Sequence, residues 1–546
     1  MCAYQRLNNS YSCHNSKSLN GLLKTELNFQ GFVLSDWFGQ HTGIASAMAG
    51  LDMAMPDKDL YWGANLTNAV HNGSVPVSQI DNMATRIMAA WYLSGQDNQN
   101  LPPVGIGITA DYKKPHPVID ARDPNNDALL LEGAIQGHVL VKNVNNALPL
   151  SKPRILSIYG YDAKVANTNL AIAGVNGWTQ GLQAQNYKSI VCGFGPTGGN
   201  CPPFAPIAPK GTLIGGGGSA AITPVYISSP FDALEARARR DRTQLFWDLE
   251  GTQVTNTETD ACLIFVNAAS SEGVDRPALR DDYTDGLILD VASQCNNTVV
   301  IIHNAGVRLV DQWIDHPNVT AVIFAHLPGQ DSGEAITRIL YGDASPSGKL
   351  PYTVPHNESD YGALLNPVTR KDWDRYFPQD NFTEGVFIDY RAFDMNSIVP
   401  RFEFGFGMTY TTFRYSKLGI HYTADSSKLS EYPIGPVIPG GNPDLWETIA
   451  VVTTDITNTG RMEAAEISQL YIQIPVEDQP LLQLRGFEKV TIPPGETKTV
   501  EFNIRRRDIS VWDVASQKWK LMVGTKYPIL FGASSRNIML NGTLEL

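Results

Sequence analysis

Two carboxylates in this chain stand where strand-like runs give way to loops. Asp36 closes the run Gly31-Phe32-Val33-Leu34-Ser35-Asp36-Trp37, whose Phe32, Val33 and Leu34 are apolar and strand-prone. An acid at the C-terminal end of a buried strand is where α/β barrels keep their chemistry. Trp37 beside it offers a flat apolar wall of the kind that suits a sugar ring. Glu272 lies in Ala268-Ala269-Ser270-Ser271-Glu272-Gly273-Val274-Asp275-Arg276, directly after a run ending at Val266-Asn267. Reactive groups in open α/β sheets gather outside the carboxyl ends of strands. The small residues around Glu272 would let its loop reach a neighbouring domain. Such a carboxylate pair fits glycoside hydrolysis, in which one ionised group attacks or activates water and one protonated group donates to the leaving oxygen. A separation of about 5–5.5 Å gives retention and about 6.5–9.5 Å inversion. Each window also has a plainer reading. Asp36 could cap the next helix, and Glu272 could sit in a solvated loop that an Asp275–Arg276 pair holds.

Other suggestive residues carry less. Gly211-Thr212-Leu213-Ile214-Gly215-Gly216-Gly217-Gly218-Ser219 is glycine-rich, but no Lys-Ser/Thr follows, so it reads as a flexible loop near a pocket rather than a phosphate cradle. His303, His326 and His356 lack metal-ligand spacing and read as structural. No metal or cofactor is expected. The six cysteines are too few for a disulfide framework, although Cys2 with Cys13, and Cys192 with Cys201, could each close a loop.

The elements that must position these groups fall into several units. A chain of 546 residues predicts about three or four domains, and 43% hydrophobic residues can build sizeable cores. The net charge of −13 argues against nucleic acid and anionic membranes and is compatible with a neutral substrate. No apolar run is long enough to span a membrane. Residues 1–100 read as α/β material with too few strands to close a barrel. They comprise helices over Ser16–Leu27, Thr42–Met48 and Gln79–Leu93, the strand ending at Asp36, and a short strand at Leu51–Pro56. Residues 101–125 are a proline-rich linker. Residues 126–357 form a second α/β unit, with a helix over Leu129–Val141 and buried strands near 155–160, 261–266, 298–302 and 318–323, which predicts a largely parallel sheet. Residues 358–400 are loop-rich, and 401–546 alternate as about seven strands of an immunoglobulin-like sandwich.

Together these stretches resemble glycoside hydrolase family 3, in particular its fungal secreted β-glucosidases. The resemblance runs nearly end to end. It is carried by Met1-Cys2-Ala3-Tyr4, Gly31 to Trp37, Gly50-Leu51-Asp52-Met53-Ala54-Met55-Pro56, Ser271-Glu272-Gly273, Leu327-Pro328-Gly329-Gln330-Asp331-Ser332-Gly333, Pro346-Ser347-Gly348-Lys349-Leu350-Pro351 and Phe404-Gly405-Phe406-Gly407. It implies a multidomain α/β plus all-β fold: a (β/α)8 barrel remnant, an α/β sandwich domain and a fibronectin type III-like β-sandwich. It implies a retaining β-glucosidase acting on cellobiose and other β-glucosides, with Asp36 as nucleophile and Glu272 as acid/base. Met1, Tyr4, Trp37 and Ser219 would line the sugar subsite. A β-xylosidase-type relative and a non-catalytic carbohydrate-binding or scaffold fragment are the alternative readings. The resemblance also implies secretion, with N-glycans at Asn8, Asn65, Asn72, Asn296, Asn318, Asn357, Asn381 and Asn541, all in sequons.

Two departures qualify this expectation. In the family the nucleophile lies late in a full barrel, whereas this sequence starts just before it, without a signal peptide and without the upstream sugar-gripping residues. The polypeptide as given is therefore expected to be inactive or nearly so. Gly217 stands where fungal relatives carry a tryptophan, so the aglycone side would differ.

Overall fold

Runs such as Ala261–Ala268 and Thr298–Asn304 have no polar face, so they must lie inside a sheet covered on both sides. The computed structural model describes residues 1–56, 60–98, 115, 120, 122–168, 182, 188–189, 202–222, 224–251, 255–365, 382–425 and 428–546. Cys192, Cys201, Asn381 and most of the 101–125 segment lie outside these residues.

The first unit opens with a small hairpin, β1 (Arg6–Leu7) and β2 (Ser10–Tyr11), tied back by a Cys2–Cys13 disulfide as the sequence allows. Helices follow at Ile44–Ala49, Ala64–His71 and Val77–Leu93, and Lys17–Glu26 winds as a π-helix. The expected strands at 31–36 and 51–56 are reduced to single parallel bridges, Cys2 to Ser35 and Leu34 to Met53. The reason is local. The Asp52 carboxylate takes the Val33 N–H (2.7 Å) and both its oxygens accept from the Lys24 ammonium (2.8 Å), so side-chain bonds replace part of the ladder. Arg86, on the Val77–Leu93 helix, donates to the Phe29 and Gly31 carbonyls and fixes the entry to the Asp36 segment.

The second unit is a six-stranded mixed sheet ordered β3-β8-β7-β6-β4-β5, with β3 Val139–Asn143, β4 Ile155–Tyr159, β5 Gln244–Asp248, β6 Ala261–Ala268, β7 Thr298–Asn304 and β8 Val319–Phe324. All neighbours are parallel except β3 against β8. Side chains alternate between two cores: Cys262, Ile264 and Val266 face one, Leu263 and Phe265 the other. The helix expected over Leu129–Val141 is shorter, Asp127–Gln136. Gly137 ends it, and Val139-Leu140-Val141 suits the pairing of β3 with β8 instead. A second disulfide, Cys262–Cys295, pins β6 to the end of the Asp282–Gln294 helix.

The third unit sets a three-stranded sheet against a four-stranded one, with a common core of Ile449, Val452, Leu470, Ile472, Tyr527 and Phe531. Its strands are β9 Phe413–Tyr422, β10 Thr448–Asn458, β11 Ala464–Ile472, β12 Gln483–Ile492, β13 Thr497–Arg505, β14 Ser510–Asp513, β15 Lys518–Leu521, β16 Lys526–Gly532 and β17 Ile538–Glu545. Sheets β13-β10-β9 and β12-β11-β16-β17 supply seven sandwich strands, and β14-β15 is an added hairpin.

Candidate active site

Asp36 ends its extended segment with its N–H bonded to the Cys2 carbonyl (3.0 Å), which brings Tyr4 alongside. The Tyr4 hydroxyl donates to Asp36 Oδ1 (3.0 Å), and the Trp37 N–H donates to the same oxygen (2.7 Å). Oδ2 accepts no hydrogen bond among the described residues. Asp36 does not cap the next helix, which starts at Ile44 after Gly43. Met1, Tyr4 and Trp37 are 67%, 47% and 46% exposed, so their faces are open to a ligand.

Glu272 lies on the loop after β6. Its N–H reaches the Gly217 carbonyl (3.3 Å), and the Gly217 N–H reaches the Ser270 carbonyl (3.1 Å), so the two loops run side by side. Ser219 closes the arrangement: its N–H donates to Glu272 Oε2 (2.7 Å), and its hydroxyl donates to the same oxygen. The pairing requires glycine at position 218. Its φ is 87°, and a Cβ there would lie 2.4 Å from the Glu272 Cβ. A Cβ at Gly217 would collide with Leu182 and Ser271, so this backbone leaves no room for a side chain there. Arg276 does not pair with Asp275 as expected. It donates to the Val307 carbonyl, because burial against that loop takes its guanidinium inward.

Tyr4 bonds Asp36 and lies within electrostatic reach of Glu272. Its phenol is pushed up to about 12 by partial burial, by the Asp36 hydrogen bond and by the negative charges of Asp36 and then Glu272. The structure thus pairs Tyr4 with Asp36 and Ser219 with Glu272, and both carboxylates act electrostatically on the Tyr4 phenol. The three histidines lie elsewhere in structural bonds: His303 with Asp162 and Ser332, His326 with Gly137 and Tyr352, and His356 with Asp311. Sequence reading missed the contact that orients Glu272, because Ser219 and Glu272 are 53 residues apart. The glycine run was the one available signal.

Two carboxyl groups, each gripped by neutral donors and both raising the same phenol, are the equipment of a carboxylate-pair hydrolase. The comparisons agree with that class. Residues 1–90 match the glycosyl hydrolase family 3 N terminal domain, 138–410 its C-terminal domain, and 466–535 a fibronectin type III-like domain. "Probable beta-glucosidase M" of Aspergillus flavus is 50% identical over 547 residues, covering 100% of this chain and 67% of that protein. "Beta-glucosidase cel3A" of Pyricularia oryzae is 48% identical, with 100% and 68% coverage. Among solved structures, beta-D-glucoside glucohydrolase from Trichoderma reesei superposes with a TM-score of 0.82 at 36% identity, over 100% of this chain and 72% of that one. Chaetomium thermophilum beta-glucosidase gives 0.85 at 35% identity, over 99% and 73%. The chain belongs to glycoside hydrolase family 3.

Proposed function

We propose that this chain carries the machinery of a retaining β-glucosidase that removes terminal β-D-glucosyl residues from cellobiose and other β-glucosides. The observation that carries the reading is Tyr4, hydrogen-bonded to Asp36 and within the field of Glu272. In the first step Asp36 attacks the anomeric carbon through Oδ2, while the Tyr4 hydroxyl and Trp37 N–H hold Oδ1. Glu272, protonated, gives its proton to the leaving glycosidic oxygen as that bond breaks. In the second step the Glu272 carboxylate takes a proton from water, the water oxygen attacks the same carbon, and Asp36 is released. Trp37 and Met1 flank the sugar, and Ser219 aims Glu272. The reading of the described parts as a barrel-derived unit, an α/β sandwich and a fibronectin type III-like sandwich, divided at 1–100, 126–357 and 401–546, belongs to the same proposal.

Two further parts of the reading rest on separate observations. The Asp36 segment is paired by isolated bridges rather than a continuous ladder and its aromatic neighbours are exposed, so the polypeptide by itself would be inactive or nearly so. The Cys2–Cys13 and Cys262–Cys295 disulfides favour an oxidising, extracellular setting. N-glycans would suit the exposed Asn8, Asn72, Asn296, Asn357 and Asn541 best, since the Asn65 and Asn318 amides donate internally to the Leu60 and Ala292 carbonyls. The test is a glucosyl-type mechanism-based inactivator, whose stable adduct accumulates even when turnover is slow. Mass spectrometry should find the adduct on Asp36. A label on another residue overturns the assignment, and preferential labelling by the xylosyl analogue would favour the β-xylosidase alternative.

A further inference from the structure

Behind the Glu272 loop lies a group of polar side chains that the mechanism above does not use. Asp162, Asn267, His303 and Ser332 are all at most 1% exposed. His303 Nδ1 bonds Asp162 Oδ2, and His303 Nε2 bonds the Ser332 hydroxyl (2.8 Å). This has the connectivity of a Ser-His-Asp nucleophile system. Ser332 is wholly buried at the start of the Ser332–Leu340 helix, however, so no substrate can reach it.

The outward bonds of the group show what it does. Asp162 Oδ1 accepts the Leu213 N–H (2.8 Å) and the Asn267 amide (2.8 Å). The Asp162 carbonyl accepts the Thr212 hydroxyl (2.9 Å). Asn267 Oδ1 accepts the Ala208 N–H (2.8 Å), and its amide also donates to the Ala208 carbonyl (3.0 Å). The Ala269 N–H donates to the Pro206 carbonyl (2.9 Å). Every one of these bonds lands on residues 206–213, on Asn267 near the end of β6, or on the start of the Glu272 loop. The first stretch leads directly to Gly217, Gly218 and Ser219, and Asn267 sits five residues before Glu272 on the strand that feeds its loop. Asp162 and Asn267 therefore hold both loops at once, and His303 fixes Asp162 from behind.

We infer that Asp162, Asn267 and His303 are positioning residues for Glu272, a buried clamp that sets the Gly218–Ser219 turn against its carboxylate. The inference rests on the reading of Glu272 as the acid/base. A buried polar group stripped of its partner is costly, so a cut in the clamp should loosen the loops rather than be absorbed locally. Asp162→Ala orphans the Leu213 N–H, the Asn267 amide and His303. Asp162→Asn keeps an acceptor for Leu213 and turns its amide toward His303, which can accept in its other tautomer.

The first arm of the test is amide hydrogen exchange on the full chain, which needs no turnover. D162A and N267A should speed exchange in residues 206–222 and 268–274 by roughly tenfold, with Phe265 and Ile301 in the sheet unchanged. D162N should restore protection. Uniform acceleration across the sheet, or no change in these loops, would overturn the clamp. The second arm compares kcat/KM for phenyl and dinitrophenyl β-glucosides. D162A should lose activity on the phenyl substrate, which needs the proton from Glu272, and keep it on the dinitrophenyl one, while D162N recovers the phenyl activity. An equal loss on both substrates would make the clamp merely structural. Failure of wild-type chain to cleave either substrate is what slow turnover predicts and leaves the exchange arm to decide the clamp; absence of inactivator labelling on Asp36 is the result that counts against the glucosidase reading.

Discussion

Replacing Gly218 by alanine probes the approach of the glycine turn to Glu272. The φ of 87° at this position costs an L-residue about 1–2 kcal/mol. The new methyl would lie 2.4 Å from the Glu272 Cβ and 2.8 Å from its Oε2. Ordinary carbon–carbon contact is about 3.5–4.0 Å, so Glu272 or the turn must withdraw by roughly 1.1–1.6 Å. A catalytic group misplaced by about 1 Å loses on the order of 100-fold in rate. The loss should fall where proton donation matters. For phenyl β-glucoside, kcat/KM should drop by about 100-fold. For dinitrophenyl β-glucoside, whose leaving group departs unaided, it should change by less than about threefold. Azide should then speed release of the glucosyl group, since it needs no base. The assay is initial rates of the two phenols, with a thermal melt to show that the sheet is intact. Wild-type kcat/KM on the phenyl substrate would refute the placement of Glu272. An equal loss on both would refute its role as acid.

Tyr4→Phe removes one of the two donors on Asp36 Oδ1, worth about 1–2 kcal/mol at this half-exposed site, so inactivator labelling should slow about 5–30-fold. Because the Tyr4 phenol is raised to about 12, that ratio should be flat across neutral pH, and the stabilisation it reflects is present below the ordinary phenol value and lost as pH rises through about 12. Cys262→Ala with Cys295→Ala opens a loop of sequence separation 33, which should cost about 4 kcal/mol and roughly 10 °C in melting; a fall under about 2 °C would refute the estimate. Burial pulls Lys489 down to about 8, so its folded charge is a penalty below that pH and is relieved as pH rises toward the ordinary lysine value. Lys489→Met should therefore raise the melting temperature at pH 7 more than at pH 10, and the opposite order would show that Lys489 is not the group responsible.

How far the sequence reached depended on whether a residue's role was local. The runs 261–268, 298–304 and 319–324 announced themselves because a strand buried on both faces has no polar positions to disguise it. Glu272 was legible as an acid on the loop after such a run, and Asp36 as an acid closing an apolar segment that the structure pairs only by single bridges. The β3 strand was absorbed into the preceding helix because Ile135 and Val139-Leu140-Val141 keep an apolar rhythm across Gly137, and only the partner β8 decides between the two. β5 is a half-exposed edge strand flanked by polar residues, so no pattern marks it. The Cys262–Cys295 bond joins a strand start to a helix end 33 residues on, a proximity created by the crossover and invisible to spacing alone.

The two carboxylates are held in different ways, and this has a consequence for how the site fails. Asp36 depends on neighbours within its own unit: Tyr4, Trp37 and the Asp52–Lys24 bonds that anchor Val33. Glu272 depends on a turn from a distant part of the chain, and that turn depends on side chains buried at the ends of β4, β6 and β7. Damage to the buried polar group should therefore leave the nucleophile in place. His303→Phe, which cannot bond Asp162 or Ser332, should still permit labelling of Asp36 by an inactivator bearing an activated leaving group. It should at the same time abolish cleavage of cellobiose, whose leaving sugar hydroxyl needs a proton. Loss of both together would mean that the two halves of the site are coupled through something other than the clamp. Loss of neither would mean that the Ser219–Glu272 contact sustains itself.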